Sequence, residues 1–288
     1  MVADIFIFRW VAQGSAPAGG VIGAGYPSPG TPDAAHPAPV GGPASPIAPY
    51  PGEPSVSRPT AAVQRQAGAL SAQLLVFGGL MLADLAVSIR QTMGLFLGST
   101  HGCLTEDLRF QRSRRMDHGR FASPAAFRGT LPSTVAAELA IAFGLQGPLL
   151  VYAGGAASGV LAIIRAVRWL EAGAVPLVLA GAADDEHGDE VRLVRTTPAG
   201  AQSAAYPWRG SGKILLVLLG RAEALPTFKP VAKIGRAELR ASSRRSGTDT
   251  DHSVAALRSA LRHPGTRAAD IRIDAGLGAC CRLTVLRP

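Results

Sequence analysis

Cysteine is scarce in this chain: three residues occur among 288, and two of them, Cys280 and Cys281, are adjacent. Adjacent cysteines rarely pair with each other, and an odd number cannot form a complete disulfide framework. This usage is typical of a reducing compartment, so we expect a cytoplasmic protein. Cys103 follows His101 closely, but no second pair of ligands at suitable spacing accompanies them. We therefore predict neither a metal site nor a cofactor.

Lysine is equally rare, with three residues, although the formal net charge is +9. Arginine therefore supplies almost all of the positive charge. Its densest cluster includes four residues that we call the arginine patch, Arg109, Arg112, Arg114 and Arg115. Few aromatic residues and no nucleic-acid-binding motif accompany the patch, so we predict no nucleic-acid partner. Two interpretations stay open: a solvated basic face, or a surface that attracts an acidic protein by electrostatic steering.

The N-terminal segment lacks a hydrophobic period and is rich in proline: 12 of the 22 prolines lie in the first 60 residues. Such a segment cannot bury enough apolar surface to offset its chain entropy. We therefore predict a disordered Pro/Gly/Ala-rich extension over residues 1–62. A misassigned start codon is an alternative explanation of this composition.

A long apolar run, residues 70–89, has twenty residues, which is enough for a helix to cross a bilayer. Asp84 lies inside the run, and a carboxylate near the bilayer centre is costly. We predict a buried helix and no stable membrane span.

The remaining pattern alternates short apolar runs with helical stretches. It predicts strands at residues 94–98, 149–153, 176–181 and 214–219, helices at 132–143 and 158–172, and an irregular Arg-rich loop after residue 98. Strands that alternate with helices favour a layered α/β fold in which both faces of the sheet are covered.

A tight turn between the strand at 149–153 and the helix at 158–172 has the form of a nucleophile elbow. Its small residues form what we call the elbow frame: Gly154, Gly155, Ala156, Ser158 and Gly159. A turn of this kind presents one side chain at a helix N-terminus, where free amides lower a thiol pKa and stabilise an oxyanion. The side chain presented here is Ala156, which cannot act as a nucleophile.

The segment around the elbow resembles the active-site region of β-ketoacyl synthases, in which Gly-Pro is followed after seven residues by the acyl-accepting Cys. Counted from Gly147-Pro148, that Cys position is Ala156. Collinear resemblance runs from about residue 64 to 225 and includes these segments: Gly94–Ser99, Ser123–Phe127, Thr130–Ser133, Ala172–Asp184 and Gly210–Leu219.

This resemblance implies a thiolase-like layered fold of which the chain carries mainly the N-terminal half. We expect a ketosynthase-like domain at residues 63–228 and a short degenerate remnant at 229–288. The family's two catalytic histidines lie in its second half, and this sequence has no histidine after His263. The resemblance therefore implies a non-catalytic subunit of chain-length-factor type, paired with a catalytic ketosynthase in fatty-acid, polyketide or aryl-polyene biosynthesis.

The same resemblance implies an acidic acyl carrier protein as a second partner, which would meet the arginine patch. It also suggests that large side chains near the elbow limit the length of the acyl chain. The candidates are Phe127, Phe143 and Tyr152, and core packing is an equally good explanation for each.

Two other functions stay open. The chain is an active acyltransferase or hydrolase if another residue, such as Ser158 or Cys103, serves as nucleophile. Alternatively, it is a degenerate ketosynthase without function. The acidic segment 184–190 lacks the spacing of a calcium loop, and a solvated loop is its favoured interpretation.

Overall fold

The computed structural model describes residues 4–12, 68–99, 102–116, 122–153, 157–184, 213–241, 261, 268–276 and 279–286. Its α-helices are α1 (Ala69–Leu82), α2 (Val87–Thr92), α3 (Leu104–Met116), α4 (Pro124–Gly129), α5 (Pro132–Phe143) and α6 (Ser158–Glu171). Its strands are β1 (Ile5–Ala12), β2 (Gly94–Ser99), β3 (Leu149–Ala153), β4 (Leu177–Asp184), β5 (Lys213–Arg221), β6 (Ala232–Ala241), β7 (Ala268–Gly276) and β8 (Ala279–Leu286).

The strands form one eight-stranded sheet in the order β3-β2-β4-β5-β1-β6-β8-β7. Strands β3, β2 and β4 are parallel, and the other neighbours are antiparallel. Every residue of β2 and β4 is buried, which explains why both strands are continuous apolar runs in the sequence. The four strands predicted at 94–98, 149–153, 176–181 and 214–219 are confirmed.

Helices cover both faces of the sheet. Helix α6 packs against one face, where its Ile163 and Val167 share a core with Phe96, Val178 and Val217. On the other face α1 and α5 pack over a second core, which is lined from the strands by these residues: Phe8, Leu95, Leu97, Leu177, Leu179, Leu216 and Leu218. The predicted layered α/β fold is therefore confirmed, as are the helices at 132–143 and 158–172.

Helix α5 shows how local residues fix the ends of a helix. Pro132 occupies its first turn, where a missing N–H costs nothing. Gly144 follows the last residue with φ of 67°, and its N–H bonds to the carbonyls of Ala140 and Ile141. Glycine adopts this left-handed conformation more readily than other residues, so Gly144 ends the helix.

Strand β1 overturns part of the prediction for residues 1–62. Residues 5–12 form a strand in the middle of the sheet, between β5 and β6. Ile7 faces the α6 core and Phe8 faces the α1 core, as strand alternation requires, and a shift in register between Ile7 and Arg9 lets Trp10 face α6 as well. The run was too short to show a hydrophobic period, and its partners lie about 200 residues away. The rest of the predicted extension lies outside the described residues.

Arg9 ties β1 to the end of α1. Its guanidinium donates to both carboxylate oxygens of Asp84 and to the Met81 carbonyl, at 3.3 Å for the latter. The same guanidinium lies 4.5 Å from the centre of the Phe228 ring. The hydrogen bond from Arg9 lowers the pKa of Asp84 below its ordinary value.

Two further expectations need correction. The Arg-rich segment after β2 is not an irregular loop, because α3 and α4 occupy much of it. The apolar run 70–89 is not one helix: α1 ends at Leu82 and α2 begins at Val87. In the described ranges no helix is long and apolar enough to cross a membrane.

The C-terminal segment 229–288 contributes β6, β8 and β7 to the same sheet. Ala237, Leu283 and Val285 of these strands join the core beneath α6. The segment thus has more regular structure than the short remnant we expected. The domain boundaries at residues 63 and 229 stay predictions.

Candidate functional site

The candidate site lies where the parallel strands β2, β3 and β4 end. Strand β3 ends at Ala153, and α6 begins at Ser158 after the buried Ala157. Residues 154–156 of the elbow frame, with Ala156 itself, lie outside the described residues. The described part of the frame, Ser158 and Gly159, therefore lies at the carboxyl edge of a parallel sheet and at a helix N-terminus, which is a common place for binding sites in α/β proteins.

Two glycines let the first turn of α6 lie directly on the sheet. A Cβ on Gly98 of β2 would lie 2.1 Å from the carbonyl carbon of Ser158, and a Cβ on Gly159 would lie 2.6 Å from the Cβ of Ala182 on β4. Neither gap accepts a methyl group. These glycines therefore set the position of the first turn of α6 relative to β2 and β4.

Two buried polar side chains form a hydrogen bond at the same edge of the sheet. The Ser99 hydroxyl donates to Oδ1 of Asp184 at 2.7 Å and accepts the Gly102 N–H at 2.9 Å. Both side chains are buried, with Ser99 at 5% and Asp184 at 3% exposure. Asp184 is the last residue of β4 and not part of a solvated loop, so our interpretation was wrong for this residue. Residues 185–190 lie outside the described residues.

Sequence reasoning missed this pair although a signal was present. Ser99 and Asp184 each stand at the end of an entirely apolar strand, and neighbouring parallel strands bring their carboxyl ends together. A buried carboxylate needs hydrogen bonds, and the hydroxyl of Ser99 supplies one. The pair joins the ends of β2 and β4 beside the elbow frame.

The three candidates for limiting acyl length do not lie together. Phe143 is buried against Gly78 in the core beneath α1 and α5. Tyr152 is half-buried on the opposite face, against the α6 core. Phe127 lies on α4 with 55% of its surface exposed. Tyr152 is the candidate next to the elbow frame, one residue before the end of β3.

A small cavity lies between β2, α1 and α5. It is lined by both apolar and reactive side chains, which include Leu74, Leu97, Ser99, Cys103, Val135 and Val151. Its volume of about 10 Å³ is close to the least that one water molecule needs. This cavity therefore cannot hold an acyl chain in the conformation described.

The two candidate nucleophiles of the alternative function are both buried. Ser158 is 3% exposed and Cys103 is 2% exposed. A substrate carbonyl cannot reach either side chain without movement of the backbone or helices around it. Among the described residues, no group of three or more His, Cys, Asp and Glu side chains could hold a metal ion.

The arginine patch lies on α3, none of whose residues is fully buried. All four arginines are exposed, and Arg109 lies 3.6 Å from Glu106. Glu106 and Asp107 occupy the first turn, and Arg114 and Arg115 the last, as the helix dipole favours. Partial burial raises the pKa of Asp107.

The family comparison matches the β-ketoacyl synthase N-terminal domain over residues 54–203, just over half of the chain. A Streptomyces virginiae protein described as a polyketide beta-ketoacyl synthase is 35% identical over 109 residues, which cover 35% of this chain and 26% of that protein. The chain thus spans about a quarter of the length of this curated relative.

Similar solved structures also include ketosynthases. The ishigamide ketosynthase/chain length factor is 27% identical, with a TM-score of 0.53 over 72% of this chain and 56% of that one. A type II polyketide acyl-carrier protein in complex with its ketosynthase matches with a TM-score of 0.64 over 80% of this chain and 86% of that chain. At 12% identity the latter likeness shows the fold alone.

Proposed function

Since the chain belongs to the β-ketoacyl synthase family, we propose that it is a non-catalytic subunit of chain-length-factor type. In this role it pairs with an active ketosynthase in fatty-acid, polyketide or aryl-polyene biosynthesis, in the cytoplasm. An acidic acyl carrier protein brings the acyl chain to the pair. The comparison with a ketosynthase/chain length factor supports this class of function.

The observation that carries the proposal is Ala156 at the position where the family has its acyl-accepting Cys. The strand before it and the helix after it are both formed, and α6 is packed into the core. A decarboxylative condensation needs a thiolate at this position to hold the acyl chain. An intact scaffold without the thiolate favours a structural role.

Strand β3 offers the surface for the ketosynthase. It is the terminal strand of the described sheet, and its outer edge has no strand partner among the described residues. Its residues, Leu149 to Ala153, include no charge and no proline, and Leu149 is 37% exposed. An uncharged apolar edge of this kind pairs readily with another strand. Tyr152 then lies at the subunit boundary, where it can limit the acyl chain.

Co-expression with a catalytic ketosynthase from the same organism tests the pairing. We expect the two chains to co-purify, and Leu149→Lys to abolish the complex because the substitution places a charge on the pairing edge. Leu239→Lys is the matched control: Leu239 is a 55% exposed leucine on β6, away from β3. Failure of the wild-type chains to co-purify contradicts the proposal.

Product analysis tests the non-catalytic role. Replacement of the partner's acyl-accepting cysteine should abolish product, because this chain has Ala156 and cannot hold the acyl group. Tyr152→Ala should shift the distribution toward longer products if Tyr152 limits the chain. Unchanged products after deletion of this subunit argue for a degenerate protein instead.

The alternative, an active acyltransferase or hydrolase, is disfavoured by the burial of Ser158 and Cys103. Mass spectrometry after incubation with an acyl-carrier substrate distinguishes the two functions. A covalent acyl adduct on either residue supports the alternative, and its absence leaves the structural role.

A further inference from the structure

Helix α1 is apolar on every side, although one of its sides faces outward. Its sequence from Ala69 to Leu82 contains no charged residue, and its inner side belongs to the core that it shares with α5. On the outward side Val76 is 37% exposed and Leu80 is 41% exposed. Residues at helical spacing form what we call the outer α1 face: Ala72, Val76, Leu80 and Ala83. A helix that is hydrophobic all round is typical of a buried position, so this face predicts a further covering element.

The extent of the outer α1 face distinguishes it from ordinary surface residues. Apolar residues scattered singly over a surface are normal, and Ile141 of α5 is such a case: it is 81% exposed, and Glu138 lies one turn before it. The outer α1 face instead continues for three turns without a charged side chain. Helix α1 contacts β1, β4 and β5 in the middle of the sheet, whereas the proposed ketosynthase surface is the terminal strand β3. The two surfaces are therefore separate.

The chain segment that precedes α1 begins and ends at one edge of the sheet. Residues 13–67, which lie outside the described residues, connect β1 to α1. Strand β1 runs in the same direction as β4, because both are antiparallel to β5, so Ala12 lies at the carboxyl edge. Helix α1 begins at this edge, since Leu70 lines the small cavity beside Ser99 at the end of β2. Connections between neighbouring elements commonly need about 2–6 residues, so the segment is far longer than the connection requires.

The composition of this segment suits an uncharged apolar surface. Residues 37–52 contain no charged side chain, and they include Ile47 and Tyr50. Contact between this stretch and the outer α1 face therefore requires no charge to lose its water. The stretch is also rich in proline, which fixes φ and reduces the conformational entropy that a chain loses when it is ordered.

We propose that residues 37–52 bind the outer α1 face, and that Ile47 and Tyr50 supply the side chains that cover Val76 and Leu80. A polyproline-type chain has three residues per turn, so Ile47 and Tyr50 lie on the same side of such a chain. Removal of these apolar side chains from water drives the contact. The inference concerns the chain's own segment and does not depend on the proposed function.

The covalent connection makes this contact possible and favours it over contact with another molecule. Leu80 lies about 18 Å from Gly68 along α1, at about 1.5 Å per residue. The residues between Tyr50 and Gly68 reach roughly 50 Å when they are extended. An attached segment has an effective concentration on the order of 1 mM at its site. A second copy of the protein has to bind without this advantage.

Photo-crosslinking of the full chain tests which surface covers the outer α1 face. We expect a benzophenone amino acid in place of Leu80 to crosslink within the chain to residues 37–52, which peptide mass spectrometry identifies. The same probe in place of Ile141 on α5 is the control and should give no such crosslink. Tyr50→Ser should lower the yield from position 80 about fivefold or more, and Tyr26→Ser, at the other tyrosine of the segment that precedes a proline, less than about twofold.

Proteolysis measures the same contact without a crosslinker. Subtilisin cleaves accessible, extended chain, so its rate of cleavage within residues 37–52 reports how often the stretch is released. We expect Leu80→Glu to raise this rate about tenfold, because the carboxylate would have to lose its water beneath the stretch. Ile141→Glu should change the rate by less than about twofold. Circular dichroism verifies that both variants are folded.

A crosslink from position 80 to a second copy, or to the ketosynthase in the co-purified complex, overturns the inference, because another molecule then covers the face. Absence of any crosslink from position 80 to residues 37–52 overturns it as well, and so do equal cleavage rates in Leu80→Glu and Ile141→Glu. Failure of the ketosynthase to co-purify contradicts only the proposed function, because both measurements are made on the full chain itself.

Discussion

Helices α6 and α3 are almost equal in length, yet tertiary contacts stabilise α6 and local contacts stabilise α3. Nine of the 14 residues of α6 are buried, and none of the 13 residues of α3 is. Packing on the sheet fixes α6, so its sequence is an apolar pattern. Charged side chains and contacts with one neighbouring helix stabilise α3, so its sequence has the polar composition of a loop. The buried helix positions the site, whereas the position of the exposed helix depends on its contacts with α4.

The largest effect should come from the glycine on which α6 lies. Gly98→Ala should lower the free energy of unfolding by about 3 kcal/mol, because its methyl group meets the backbone of Ser158. Urea denaturation measures the change. In the control, Gly79→Ala, the new Cβ lies 3.7 Å from Phe143, and the helix gains up to about 1 kcal/mol. Similar losses in both variants contradict the close approach of α6.

Truncation of one leucine in each helix compares the two directly. Leu170 of α6 is fully buried, so Leu170→Ala should cost about 3 kcal/mol in the free energy of unfolding. Leu108 of α3 is half-buried, so Leu108→Ala should cost under about 1 kcal/mol. Thermal and urea denaturation of the pair give both values. A larger loss for Leu108 means that α3 is part of the core.

The C-terminal end of α6 depends on a residue of β5. Arg221 donates to the Leu170 carbonyl from Nε at 2.9 Å and from Nη2 at 2.7 Å, and to the Glu171 carbonyl at 3.2 Å. We expect Arg221→Met to lower the free energy of unfolding by about 1–2 kcal/mol.

Arg168→Met is the control for this substitution. Arg168 pairs with Glu171 at 3.1 Å on the exposed side of α6, so its loss should cost about 0.5 kcal/mol or less. Equal effects in urea denaturation show that the bonds to the helix carbonyls add no stability beyond that of a surface ion pair.

The smallest effect concerns the pair of Arg9 and Asp84, which joins β1 to α1. Because folding lowers the pKa of Asp84, its contribution is present above the ordinary aspartate pKa and is lost as pH falls through the folded value. The Asp84 side chain is 51% exposed, so Asp84→Asn should cost about 0.5 kcal/mol at pH 7. Urea midpoints at pH 7, 5 and 3 should converge for variant and wild type. Divergence at low pH contradicts this account.

Buried, contiguous elements were predictable from the sequence. Strands β2 to β5 are apolar runs because both faces of the sheet are covered, and α5 and α6 show apolar residues at helical spacing. The elbow frame was visible for the same reason: small residues stand between a buried strand and a buried helix. Its position at the end of three parallel strands follows from their order in the chain.

Elements that depend on distant partners were not predictable. Strand β1 pairs with residues more than 200 positions away, so nothing in Ile5–Ala12 itself marks a central strand. The hydrogen bond between Ser99 and Asp184 joins residues 85 positions apart. Helix α3 gave no periodic signal because none of its side chains is buried. Each of these features depends on contacts that exist only in the folded chain.

The sequence by itself determined the family, the alternation of strands and helices, and the exchange of cysteine for Ala156 at the elbow. These properties reside in local composition and spacing, which burial on the sheet imposes on each short segment. The tertiary structure decided that β1 lies in the middle of the sheet and that Ser99 and Asp184 form a hydrogen bond at its carboxyl edge. Those outcomes depend on which distant surfaces meet, because the free energy of packing and hydrogen bonding is gained only when they do.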